Sequence, residues 1–198
     1  MRNFLVRLLI LLWCGGAACL GESMEVVAVD DGVISSADNR ASCQVLRLDS
    51  VGGRFGFGMT QHGAAFHQAE GYLGCMLPWF WTSTSGWRVE TTMEGACGGL
   101  WDGTDEAVVG SVGPGVKVSP RGLPVFLEGG IDPTFLSFHD FAGRNLGADF
   151  QFTSHVGLGW DVVSHVRVEY RFQHMSNAGF SKPNPGLNLH MFCVGYAF

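Results

Sequence analysis

The sequence predicts an all-β protein, an eight-stranded antiparallel transmembrane β-barrel, on three observations. Apolar and polar residues alternate with a period of two along its C-terminal third, the pattern of strands with one greasy and one polar face. No segment after residue 21 reads as a membrane-spanning helix. The longest uncharged run, residues 71–87, is broken by Pro78 and carries Thr82, Ser83, Thr84 and Ser85, so a chain that crosses a bilayer does so with strands. The 29 glycines, about twice the ordinary share, are interleaved with aromatic and β-branched residues, which favours strands and turns over long helices.

The chain begins with a targeting segment. Arg2 and Arg7 precede an apolar run from Leu8 to Leu12 with Trp13, and the small residues Gly15, Gly16, Ala17 and Ala18 follow. Residues 1–21 therefore read as a secretory signal peptide, their uncharged run being short of the ~20 residues that span a bilayer as a helix. The alternative, lipid attachment at Cys19, puts glycine at Gly16 where leucine normally stands. Residues 22–198 are then one barrel domain of 10 basic and 18 acidic residues, against a net charge of −6 for the whole chain. That balance gives no basic surface for a nucleic acid. A hydrophobic fraction of 46% with 15 phenylalanines and 6 tryptophans excludes a disordered chain. Cys43, Cys75, Cys97 and Cys193 stay in the exported chain, where pairing is allowed and the spacing leaves the partners open. His62 and His67 lack the spacing of a helical zinc pair, and neither a metal nor a cofactor is expected.

The candidate strands run in order over 54–60, 79–84, 87–94, 107–118 and 123–131, with glycine-rich turns placed at 95–99 and 113–115. Three sharper strands follow. Phe150, Phe152, Ser154, Val156, Leu158 and Trp160 alternate with Asp149, Gln151, Thr153 and His155. Next, Val166, Val168, Tyr170 and Phe172 oppose His165, Arg167, Glu169, Arg171 and Gln173, the polar set filling a narrow lumen. In the last strand, 190–198, Phe192, Val194, Tyr196 and Phe198 share a face, and closing on a terminal phenylalanine is similar to bacterial outer-membrane barrels. Eight strands of ~10 residues fit the length. Trp79, Trp81, Trp87 and Trp160 are candidates for an interfacial girdle, with core or lumen packing as the alternative.

One motif carries chemistry. His174 and Ser176 continue the series of Val166, Val168, Tyr170 and Phe172, so they face lipid, where polar groups are costly unless a site satisfies them. Side chains two apart on a strand lie ~6.5–7 Å from each other, near enough for the imidazole to lean to the hydroxyl, as a base does to its nucleophile. Because such barrels end on the periplasmic side, the connection 177–189 is an outer loop and the pair sits at the level of the outer leaflet. In a Gram-negative outer membrane that leaflet is lipopolysaccharide, whose acyl esters lie at about this depth.

Over residues 172–188 the sequence resembles the lipid A 3-O-deacylases, eight-stranded outer-membrane barrels. The resemblance implies a carboxylic ester hydrolase of the bacterial outer membrane. Its substrate would be lipid A of lipopolysaccharide, from which it removes the 3-O-linked hydroxyacyl chain. By the same resemblance His174 is the base, Ser176 the nucleophile, Ala178 and Gly179 backbone positions of the oxyanion hole, and Asn184 its side-chain donor. One position departs from the family, whose histidine-orienting glutamate is Asn188 here. An asparagine carbonyl accepts an imidazole N–H and fixes the tautomer but does not stabilise imidazolium by charge. The alternative is therefore a non-catalytic barrel, structural or inactive, in which Asn188 reflects lost catalysis; separately, Asn188 also reads as a loop residue that never meets His174. Inward-facing Glu169 is on the wrong face to substitute. Homodimerisation is left open, and a pore ranks behind both readings because side chains fill an eight-stranded interior.

Overall fold

Period-two alternation produces strands with one face for lipid and one for the interior, and only closure satisfies their edges in a membrane. The computed structural model describes residues 46–58, 65–142 and 144–198. The targeting segment, Cys43 and His62 lie outside them. The strands are β1 (Arg47–Gly58), β2 (His67–Thr82), β3 (Trp87–Trp101), β4 (Glu106–Pro120), β5 (Val125–Leu136), β6 (Asp140–Phe141), β7 (Arg144–Asn145), β8 (Phe150–Val163), β9 (Val166–Ser176) and β10 (Leu187–Ala197). Eight of them close in the order β1-β10-β9-β8-β5-β4-β3-β2, while β6 and β7 pair as a separate hairpin. All neighbours are antiparallel, and β1 seals the barrel against β10 from Ser50 opposite Ala197 to Gly58 opposite Leu189.

The outer wall is apolar, with Phe55, Val112, Leu127, Ile131, Val156, Leu158, Phe192 and Val194 exposed on it. Trp79, Trp81, Trp87 and Trp160 are exposed too, which excludes lumen packing for them. The inside has two layers. One is an ionic network in which Arg171 bonds Glu94 (2.8 Å), Glu169 (2.9 Å) and Glu128, and Arg54 bonds Glu94 (2.6 Å) and Glu70. The other, toward the Ser176 end of β9, is apolar: Leu100, Val109, Leu136, Met175, Leu187, Leu189 and Met191 pack with Phe66, Phe141 and Leu146. Phe141 and Leu146 belong to the segment 137–149 that carries the β6–β7 hairpin, so this segment caps the barrel.

Several sequence expectations need correction. Residues 95–99 and 113–115 are not turns but lie inside β3 and β4. Neighbouring strands crowd two of their glycines: a Cβ at Gly98 would lie 2.0 Å from the Ala69 carbonyl oxygen, and one at Gly113 2.4 Å from that of Ile131. The strand expected at 79–84 is only the tail of β2. Asp149 and His165 do not enter the lumen: Asp149 meets His139 (2.6 Å) outside, and His165 sits in the turn before β9, stacked on Tyr196. His155 does face inward, 3.2 Å from Asp132. Finally, β10 begins at Leu187, so the β9–β10 connection is 177–186 and Asn188 is a strand residue. At the end where the chain terminates, 83–86, 121–124 and 164–165 are short turns, whereas at the other end 137–149 and 177–186 are longer and only 102–105 is as short among the described connections. Short turns mark the periplasmic end of such barrels and longer loops the outer one.

Candidate active site

Strand register builds the site. On β9, Met175 is buried in the apolar layer, so its neighbours His174 and Ser176 project from the outer wall. On β10, buried Leu187 and Leu189 do the same for Asn188. Asn188 stands directly opposite His174 in the ladder, and His174 Nδ1 is 2.7 Å from Asn188 Oδ1. A carboxamide oxygen only accepts, so this bond places the proton on Nδ1 and leaves Nε2 a free base. Gly186, the residue before β10, adopts a φ of +64° and lies against the ring: a Cβ there would be 2.7 Å from His174 Cε1 and 3.3 Å from Nε2. The Nε2 edge thus faces the end of β9 that carries Ser176. No hydrogen bond joins Ser176 to His174 among the described residues, and such bonds often close only around a substrate.

Beyond Ser176 the chain turns sharply. Ala178 and Gly179 both have positive φ, 52° and 82°, and Phe180 N–H donates to the Asn177 carbonyl at 3.0 Å, closing a tight reverse turn. A left-handed alanine is strained backbone, of the kind that surrounding bonds must hold. Gly179 N–H donates to Asn177 Oδ1 (2.9 Å) and is therefore already committed. Asn184 Oδ1 accepts from Asn177 N–H (3.1 Å), which orients the carboxamide. The Ala178 N–H and the Asn184 NH2 donate to no group among the described residues.

The sequence motif thus comes together: His174, Ser176 and Asn188 share one patch of wall, with Ala178, Gly179 and Asn184 in the loop above it. Three features escaped the sequence reading. Asn177 and Gly186 lie in the connection expected at 177–189 and carry no role there. The third is the outward pair of Tyr170 Oη and His190 Nδ1, 2.6 Å apart, which satisfies part of the polarity that His190 brings to the lipid face. Continuing the parity of Phe192 by one more step would have exposed it.

A closed eight-stranded barrel with an apolar outer wall and a polar cluster on that wall defines a membrane-spanning β-barrel whose candidate site faces the lipid. The comparisons specify the class. The sequence profile described as lipid A 3-O-deacylase (PagL) matches residues 68–197. The lipid A deacylase PagL of Bordetella bronchiseptica (strain ATCC BAA-588 / NCTC 13252 / RB50) is 31% identical over 157 residues, 70% of this chain and 85% of that protein. The crystal structure of the outer membrane enzyme PagL superposes with a TM-score of 0.62 at 21% identity, covering 74% of this chain and 97% of that one. The chain belongs to the lipid A 3-O-deacylase family, a family of outer-membrane barrels.

Proposed function

We propose that this protein is an outer-membrane serine esterase that removes the 3-O-linked hydroxyacyl chain from lipid A, with residues 1–21 directing its export. The observation that carries the reading is the 2.7 Å bond from His174 to Asn188 on the lipid-facing wall, two residues along β9 from Ser176. His174 Nε2 takes the proton of Ser176 as its Oγ attacks the ester carbonyl. The Ala178 N–H and Asn184 NH2 receive the oxyanion, with Gly179 holding the turn between them. The tetrahedral species collapses as His174 returns the proton to the leaving sugar hydroxyl, giving an acyl-serine. Water, deprotonated by the same imidazole, then releases the fatty acid and restores Ser176. Asn188 keeps the tautomer throughout without adding charge. No metal or cofactor is needed for any step.

Mass spectrometry of lipid A from a Gram-negative host expressing the protein tests this. Wild type should remove one hydroxyacyl mass, and Ser176→Ala should remove none while still folding to a heat-modifiable barrel in the outer membrane. The second reading, a barrel without catalysis, is favoured by the uncharged Asn188 at the glutamate position of the family. It requires that wild type leave lipid A unchanged.

A further inference from the structure

Resting on the esterase reading, we propose that Asn177 is the positioning residue of the oxyanion site, fastening its donors to the cap of the barrel. Strand alternation turns Asn177 inward, opposite in sense to Ser176, and it is only 1% exposed. Every polar group of this side chain is used. Its Oδ1 accepts from Gly179 N–H, and its Nδ2 donates to the carbonyls of Leu146 (3.3 Å) and Pro183 (3.2 Å). Its backbone N–H holds Asn184 Oδ1, and its carbonyl takes Phe180 N–H.

One residue thus joins three pieces of chain that are otherwise separate: the strained turn at Ala178 and Gly179, the stretch 183–184 that presents the carboxamide, and the capping segment at Leu146. The capping segment is itself fixed, since Gln151 Nε2 donates to the carbonyls of Leu146 (3.2 Å) and Ala148 (2.6 Å). Ser181 adds a second tie, donating to the Gly147 carbonyl at 2.8 Å. Oxyanion donors act only if their positions are set before the charge develops, because reorganising them during the reaction forfeits their effect. A left-handed alanine does not hold such a position unaided. Gln or Asp does not replace the residue: Gln is a methylene too long for the bond to Gly179, and Asp sets a carboxylate against two carbonyl oxygens.

The distinction from a purely structural role lies in the kinetics. An oxyanion exists in the transition state and not in the bound ester, so loosening its donors lowers kcat and leaves KM unchanged. Wild type, Asn177→Ala and Asn177→Ser are purified as folded barrels and assayed for acyl release from lipid A. Inactivation by a fluorophosphonate, which develops the same negative oxygen on Ser176, is measured in parallel. Asn177→Ala is expected to lose on the order of 10²-fold in kcat, the cost of an oxyanion donor, with KM within about two-fold and inactivation slowed in step. Asn177→Ser, which retains an oxygen for Gly179 N–H, should fall between, and it carries the test if the alanine variant does not fold. Unchanged kcat in the folded variants, or a loss confined to KM, overturns the proposal. Wild type that neither releases acyl chains nor reacts with the probe overturns the esterase reading instead.

Discussion

In the proposed mechanism Asn188 orients the base, and strand alternation did not reach it: only the family resemblance set it beside His174. Barrel strands are expected to be polar inside and apolar outside, and that rule read β10 back from Phe198 as far as residue 190. Near its outer end the rule inverts. Leu187, Leu189 and Met191 face an apolar plug, whereas Asn188 and His190 face out, so the pattern resembled a loop. Parity alone, without polarity, would have placed Asn188 on the outer face with His174, while their pairing comes from the strand register. The same parity did place His174 and Ser176, because the run from Val166 to Phe172 before them is regular. Replacing Asn188 by glutamate supplies a carboxylate at the Nδ1–H and stabilises the imidazolium that forms as Ser176 attacks. Asn188→Glu should therefore raise kcat for acyl release. An unchanged kcat in the folded variant would show that residue 188 does not face the imidazole during turnover.

At the scale of elements, composition misled where packing decided. Glycine clusters at 95–99 and 113–115 suggested turns, but a small barrel also spends glycine inside strands, where the facing backbone leaves no room for a Cβ. The cap was equally hidden, because β6 and β7 are two residues each and no periodicity marks them. Their role follows from burial. Phe141 is enclosed between Phe66, at a ring separation of 5.1 Å edge-on, and Phe138, at 5.5 Å. Its segment also offers the Leu146 carbonyl to Asn177. Phe141→Ala should cost about 3 kcal/mol of barrel stability by the cavity it leaves, read from urea unfolding in lipid vesicles. Acyl release by the folded fraction should drop with it, as the cap no longer fixes Leu146. Full activity in a destabilised barrel would mean that the cap plugs the lumen and does nothing for the site.

The molecule as a whole separates two tasks. In the proposed mechanism the wall and the outer loop carry the chemistry, while the lumen below holds the barrel in shape with buried charges. Arg171, 2% exposed, is the centre of that lower layer, shared among Glu94, Glu128 and Glu169. The number of strands was legible in the sequence, and so was the inward set of Arg167, Glu169, Arg171 and Gln173, because in β9 long polar side chains alternate cleanly with a lipid face. Their partners were not, since Glu94 and Glu128 come from distant strands whose alternation glycine obscures. Removing one charge from such a cluster leaves the others buried and uncompensated, which costs about 3–5 kcal/mol, whereas replacing the whole set by neutral groups is far milder. Arg171→Met should accordingly lower stability by about that amount in urea unfolding followed by tryptophan fluorescence. Adding Glu94→Gln, Glu128→Gln and Glu169→Gln to it should recover most of the loss. Both variants, assayed as folded barrels, should keep wild-type kcat, because Met175, Leu187 and Leu189 stand between the charged layer and the outer patch. A fall in kcat in the neutralised barrel, with stability recovered, would show that the buried charges reach the site through the strands and that the two tasks are coupled.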